Sequence, residues 1–306
     1  YAAGISDDLL TNTLIATQAP VVICPAMHTE MWENPAIVDN IALLQSRGVH
    51  IVAPEEGRLA GGDIGKGRLA SPATVVAAVA DVLDPLGLDL SGLRIMITAG
   101  GTREKLDPVR FIGNRSTGKQ GYAFAEAAAR AGADVELITT VDLPAPAGVE
   151  VVRLTTAAEM HQAAITGAER ADIVVMAAAV ADFRPADPSE IKIKKAGGVP
   201  TIELERTVDI LADLGSRKRP GQQLVGFAAE TNDLIENAER KLTKKNADFI
   251  VANDVSTPGA GFGHDTNIVT IVAPGGVCDS LSLTSKLGVA RAVLRTVVAA
   301  RTPNDT

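Results

Sequence analysis

Apolar residues fall in short runs separated by stretches with the three-and-four spacing of helices. Runs at 21–24 and 49–53 bracket a helical pattern over 36–47. A helix also fits 7–16, and another closes the segment over 75–83. From Arg94 the alternation restarts. It predicts strands at 94–98, 134–139, 150–154, 172–177, 223–227 and 248–252, with helices over 118–131, 157–169, 208–215, 232–245 and 284–300. Two segments instead alternate with period two across Gly-containing turns and predict β-hairpins: Ile191–Lys194 with Thr201–Leu204, and Ile268–Val272 with Gly276–Cys278.

Strands alternating with helices imply α/β layering around a parallel sheet. The break at Asp84–Leu93, rich in Pro, Gly and Asp, separates a first domain (1–86) from a second (87–306). The first supplies too few strands for a complete doubly wound domain and reads as the second half of one. The strand at 172–177 is apolar on both faces, which places it centrally in its sheet.

Composition narrows the classes. The chain has 306 residues, 46% hydrophobic and 22% charged, with Lys+Arg 29 against Asp+Glu 37 for a net charge of -8. That balance argues against bulk nucleic-acid or membrane-surface binding, so an anionic ligand needs locally placed donors. The apolar run Ile173–Ala181 is far short of the roughly 20 residues a membrane helix needs. Two cysteines, Cys24 and Cys278, are too few for a disulfide framework, and a reducing cytoplasm is the expected setting. The first residues lack a signal-peptide pattern, and the numbering is expected to start inside a longer gene product.

Candidate chemistry sits in loops after strands. Ala99–Thr102 leads to Gly113–Gly121 before a helix, a Gly-rich path that can bring backbone N–H groups onto phosphate or can simply serve turn geometry. It matches neither the P-loop nor the dinucleotide fingerprint. Asp182, after the central strand, is suited to orient a sugar hydroxyl, to bind magnesium or to cap a turn. Lys192 and Lys194 share one face of the first predicted hairpin, and Lys241 and Lys245 one helix face. Each pair is a solvated surface unless it converges with the others on one ligand. In the first domain, His28 and Trp32 follow a buried strand. The Gly57–Arg68 stretch reads as a mobile flap over a ligand.

Taken together, Pro25-Ala-Met-His-Thr-Glu-Met-Trp32 and Gly61-Gly-Asp-Ile-Gly-Lys-Gly-Arg68 resemble the flavin-dependent phosphopantothenoylcysteine decarboxylases. The stretch Ile97 to Lys119 resembles the phosphopantothenate-cysteine ligases, as do Ala178–Arg184, Lys192–Lys195, Gly226–Thr231, Lys241–Asn246 and Ala252–Asp254. Their order is similar to that of the bifunctional proteins that fuse both activities for coenzyme A synthesis, with the start of the decarboxylase domain missing here.

The resemblance implies a Rossmann-like ligase domain preceded by the second half of a flavodoxin-like domain. It implies that CTP activates 4'-phosphopantothenate as an acyl-cytidylate, which L-cysteine then attacks. Asn114 would hold the acyl-cytidylate, Arg110 would support its loop, and Lys192 would stabilise charge in the transfer. Asp182, Lys192, Phe227, Lys241 and Lys245 would surround CTP, with Mg2+ at Asp182, and residues 205–208 would close over the nucleotide. In the first domain, Asp7, Asp8 and Thr11 would belong to a partial FMN site and His28 would meet the decarboxylase substrate. His28 and Gly61 depart from that family's usual Asn and Cys. The resemblance further implies ligase-domain dimers and flavin-domain trimers. The competing readings are a non-catalytic regulatory subunit and a nicotinamide-dependent dehydrogenase.

Overall fold

The computed structural model describes residues 1–83, 88–194, 201–230, 233–254, 261 and 263–301. Lys195, Thr231, the turn of the first predicted hairpin and residues 84–87 of the inter-domain break lie outside them. The chain divides into two compact units, Tyr1–Gly87 and Leu88–Thr306.

The first unit runs α1 (Leu9–Ala16), β1 (Val22–Ile23), α2 (Thr29–Trp32), α3 (Pro35–Ser46), β2 (His50–Ile51), β3 (Glu55–Arg58), β4 (Ile64–Arg68) and α4 (Pro72–Leu83). Asn34 caps α3, its side chain accepting from Ala36 N, and Pro35 supplies the fixed φ that favours a first helical turn. β1 and β2 pair in parallel, Val22 opposite His50. The Gly57–Arg68 stretch forms an antiparallel hairpin, β3 against β4. Its glycines serve close approach: Met27 N donates to Gly67 O at 2.9 Å, and a Cβ on Gly67 would collide with Met27 O.

The second unit runs β5 (Arg94–Ala99), β6 (Arg103–Lys105), β7 (Phe111–Gly113), α5 (Lys119–Arg130), β8 (Asp134–Thr139), β9 (Val149–Arg153), α6 (Ala157–Ala168), β10 (Ile173–Met176), β11 (Phe183–Pro185), β12 (Leu204–Arg206), α7 (Ile210–Ser216), β13 (Gln223–Glu230), α8 (Leu234–Lys245), β14 (Phe249–Asp254), β15 (Thr266–Ala273), β16 (Gly276–Ser285) and α9 (Lys286–Ala299). Eight strands form one sheet in the order β16-β15-β14-β13-β10-β5-β8-β9. All neighbours from β14 to β9 are parallel, while β15 and β16 add an antiparallel hairpin at one edge. As its composition predicts, β10 is buried throughout and lies between β5 and β13.

Helices cover both faces. Phe124 and Ala127 of α5 and Val293 of α9 pack with Ile97 and Val175 on one face; Met160 of α6, Ile210 of α7 and Leu242 of α8 pack with Met96 and Val174 on the other. α6 starts where Thr156 and Glu159 form a reciprocal capping box, the Ser/Thr-x-x-Glu pattern that satisfies orphan amides. α5 closes tightly on β5 because Gly121 has no side chain: a Cβ there would lie 2.5 Å from Ala99 Cβ and 2.8 Å from Thr98 O.

The first predicted hairpin does not form among the described residues. β12 pairs with β11, Phe183 opposite Arg206, while Ile191–Lys194 is not a strand. Lys192 and Lys194 therefore share no strand face. The alternation had no face to bury, since Ile191 is 75% exposed, and both backbone polar groups of Ile193 are bonded elsewhere.

Candidate active site

β5 and β10 lie side by side, Thr98 opposite Met176, but the chain leaves them in opposite directions along the sheet, towards β8 and β13. The loops at their C-terminal ends diverge there, the place where open α/β sheets bind ligands. The pairing continues past the strands: Ala179 N donates to Gly100 O at 2.8 Å, and Ala181 N to Thr102 Oγ1 at 2.9 Å. Residues 178–182 are thus held taut at the rim.

A cavity of about 350 Å³ opens at this divergence, within the size range of small-molecule sites. Asn114, Asp182, Phe227 and Lys241 all line it. Asn114 Nδ2 donates to Val180 O at 2.9 Å and so ties the loop before α5 to the loop after β10. The backbone of Asp182 is fixed by Thr207, whose N donates to Asp182 O at 3.0 Å. Its carboxylate has no hydrogen-bond or ion-pair partner among the described residues. An adjoining cavity of about 520 Å³ shares Asp182, Phe227 and Lys241 and extends to Thr207, Val208 and Lys245. Lys245 is already engaged there, its Nζ in close contact with Asp209 Oδ2.

The Gly-rich stretch ends at Gly118, which takes a φ of 76° and leaves the N-terminus of α5 without a side-chain cap. The amides of the first turn are therefore available to an anion. Asn253, on β14, also lines the cavity; it is 7% exposed and its Oδ1 has no hydrogen-bond partner among the described residues.

Arg110 and Lys192 line neither of these two cavities. Arg110 instead holds the backbone of Ile193, the residue after Lys192. Asp107, 2% exposed, accepts from Arg110 Nε at 2.9 Å and from Ile193 N at 3.2 Å, and Arg110 Nη2 donates to Ile193 O at 2.9 Å. Ser189 N adds a third tie, donating to Leu106 O at 3.0 Å. The Arg110 guanidinium and the backbone amides of Val109, Arg110 and Ile193 hold the Asp107 carboxyl well below the usual carboxylate range.

In the first unit, Asp8 accepts from Thr11 N at 2.7 Å and from Thr11 Oγ1 at 2.9 Å, capping α1. Asp7 is exposed. His28 caps α2 without a side-chain bond, and its ring faces Gly61.

Sequence reasoning gave no role to Gln120, Asn267 or Lys286, which complete the cavity wall. Thr284-Ser-Lys286 reads only as a helix start, so no local signal marked the lysine.

The strand order and the cavity at its turning point define a Rossmann-like α/β protein with a site of small-molecule size. Residues 90–300 match the family described as DNA/pantothenate metabolism flavoprotein C-terminal domain, and residues 1–84 match the flavoprotein family. The chain is 48% identical over 301 residues to the coenzyme A biosynthesis bifunctional protein CoaBC of Bacillus subtilis (strain 168), covering 97% of this chain and 74% of that one. It is 47% identical over 313 residues to CoaBC of Mycobacterium tuberculosis (strain ATCC 25618 / H37Rv), with the same 97% and 74% coverage. The crystal structure of the C-terminal domain of a CoaBC protein matches with a TM-score of 0.58 and 45% identity, over 68% of this chain and 95% of that one. The chain belongs to the family of these bifunctional coenzyme A biosynthesis enzymes.

Proposed function

We propose that the second unit joins 4'-phosphopantothenate to L-cysteine at the expense of CTP. A carboxylate oxygen of phosphopantothenate attacks the α-phosphorus of CTP and pyrophosphate leaves. The cysteine amine then attacks the acyl carbon, CMP leaves and the amine loses a proton. The observation that carries this reading is the meeting of Asn114, Asp182, Phe227 and Lys241 in one cavity beside the uncapped start of α5.

Negative charge builds on phosphoryl and acyl oxygens in both steps, so fixed donors are the main source of rate. The first-turn amides of α5 would hold phosphoryl oxygens, Lys241 would add positive charge, and Asn114 would fix the activated acid between the two loops. Phe227 would pack against the nucleotide. Arg110 and Asp107 would set the course of the segment bearing Lys192. The lone carboxylate of Asp182 suits a magnesium ion held mainly by substrate phosphates, which would neutralise the triphosphate. No group of three or more potential metal ligands occurs among the described residues.

The first unit would take part in decarboxylating the product, and its match to the flavoprotein family supports FMN as the cofactor. Ligase-domain dimers and flavin-domain trimers belong to the same reading.

Pyrophosphate release tests the ligase reading. With CTP, magnesium and phosphopantothenate, release should occur before cysteine is added, and CMP should follow on its addition. Binding of all three without release would favour a regulatory protein, and binding of NAD but not CTP would favour a dehydrogenase.

A further inference from the structure

Lys286, the first residue of α9, is 6% exposed and lines the cavity. Its Nζ donates to Gly261 O and to Asn267 Oδ1, each at 3.1 Å. Asn267 Nδ2 donates to Gln120 Oε1 at 2.8 Å, and Gln120 Nε2 donates back to Lys286 O at 2.9 Å. This closed ring joins the starts of α9 and β15 to the first turn of α5.

Both acceptors of the ammonium are neutral. Among the described residues no carboxylate forms an ion pair with it, and the acid in its surroundings, Asp265, is engaged by Lys119 at 2.6 Å. An ammonium has three donors, of which the ring uses two. A buried charge is unfavourable without a counter-charge, and burial pushes this lysine down to about 8. A neutral side chain that donates hydrogen bonds would close the same ring without that penalty. The cavity that Lys286 lines gives a ligand anion access to it.

We propose that Lys286 binds substrate directly, its buried ammonium serving as the counter-ion of a phosphoryl group. The inference rests on the proposed ligase reaction, in which two substrates carry such a group: CTP, in its triphosphate, and 4'-phosphopantothenate.

Calorimetric titration of the full chain tests it, using CTP against cytidine and 4'-phosphopantothenate against pantothenate, with the wild type, Lys286→Gln and Lys286→Arg. Lys286→Gln should weaken one phosphorylated ligand by about tenfold or more while changing its unphosphorylated parent by less than about twofold, and Lys286→Arg should recover part of the loss. The affected pair identifies which phosphate the lysine meets. Equal weakening of both members of each pair, or no weakening, would overturn the proposal and leave Lys286 a structural tie. A wild type that prefers neither CTP over cytidine nor phosphopantothenate over pantothenate would instead sink the ligase reading.

Should Lys286→Gln fail to fold, the wild type still decides the matter. Among the described residues the titratable groups that act on Lys286 are Asp265 and Lys119, paired with each other, with His264 beside Asp265. Preference for the phosphorylated ligand should therefore narrow between about pH 7 and pH 9 as the ammonium is lost, and a flat profile would count against the proposal.

Discussion

Gly61 and His28 face one another: a Cβ on Gly61 would lie 2.7 Å from His28 Cε1 and 3.1 Å from Nε2. The two positions at which the first unit departs from the decarboxylase pattern are thus a single contact. The imidazole fills the space next to the missing side chain. Gly61→Cys should destabilise the protein by about 1 kcal/mol, because the ring must move, and His28→Asn should remove most of that cost. Thermal unfolding of both single variants and the double variant checks this; additive effects would mean that the residues do not interact.

Asn114→Asp should impair ligation without unfolding the protein. The amide Nδ2 donates to Val180 O, whereas an aspartate would turn a carboxylate towards that carbonyl and towards the bound acid. A loss of about 1–3 kcal/mol in transition-state stabilisation, roughly five- to 150-fold in kcat/KM, is expected. The melting temperature should fall by only about a few degrees. Unchanged turnover would remove Asn114 from the site.

Asp107→Asn should act on turnover through the segment that carries Lys192. The carboxylate holds Ile193 N and the guanidinium that holds Ile193 O. Pyrophosphate release should slow while CTP affinity changes little. The variant should also alter acid stability. Because the folded carboxyl titrates below its ordinary 3.8, its contribution is complete above that pH and is lost as the pH falls through lower values. Urea midpoints of the wild type should drop over that acid range, and those of Asp107→Asn should drop less.

Gly121→Ala tests the packing of α5. The added methyl would meet Ala99 Cβ and Thr98 O at the distances that make contact repulsive, pushing the helix off β5. A cost of about 1–3 kcal/mol is expected in chemical denaturation. No change would show that the helix has room to shift.

Patterns that depend on burial were readable from the sequence. The strand at 172–177 is apolar on both faces because β5 and β13 flank it and helices cover both sides, and the edge hairpin of β15 and β16 follows from local alternation and a Gly turn. Ile191–Lys194 shows the same local alternation, yet residues more than 80 positions earlier, Asp107 and Arg110, take its backbone groups. Period two cannot reveal such a competitor. The hairpin at 57–68 was not legible for a related reason: Gly65 and Gly67 lie against Thr29 and Met27, contacts that the local sequence does not show. Asn114, Asp182, Phe227 and Lys241 were singled out because they sit in recognisable motifs. Lys286 stayed hidden because its partner Gln120 lies 166 positions away and nothing nearby announces its burial.

Because β5 and β10 are adjacent while their onward connections part, the cleft is a property of chain routing rather than of any one side chain. Substitution along its walls can retune preference for base, acid or amine without erasing the depression itself. Such an architecture separates where chemistry happens from what chemistry is accepted, and lets the second drift over evolutionary time while the first endures.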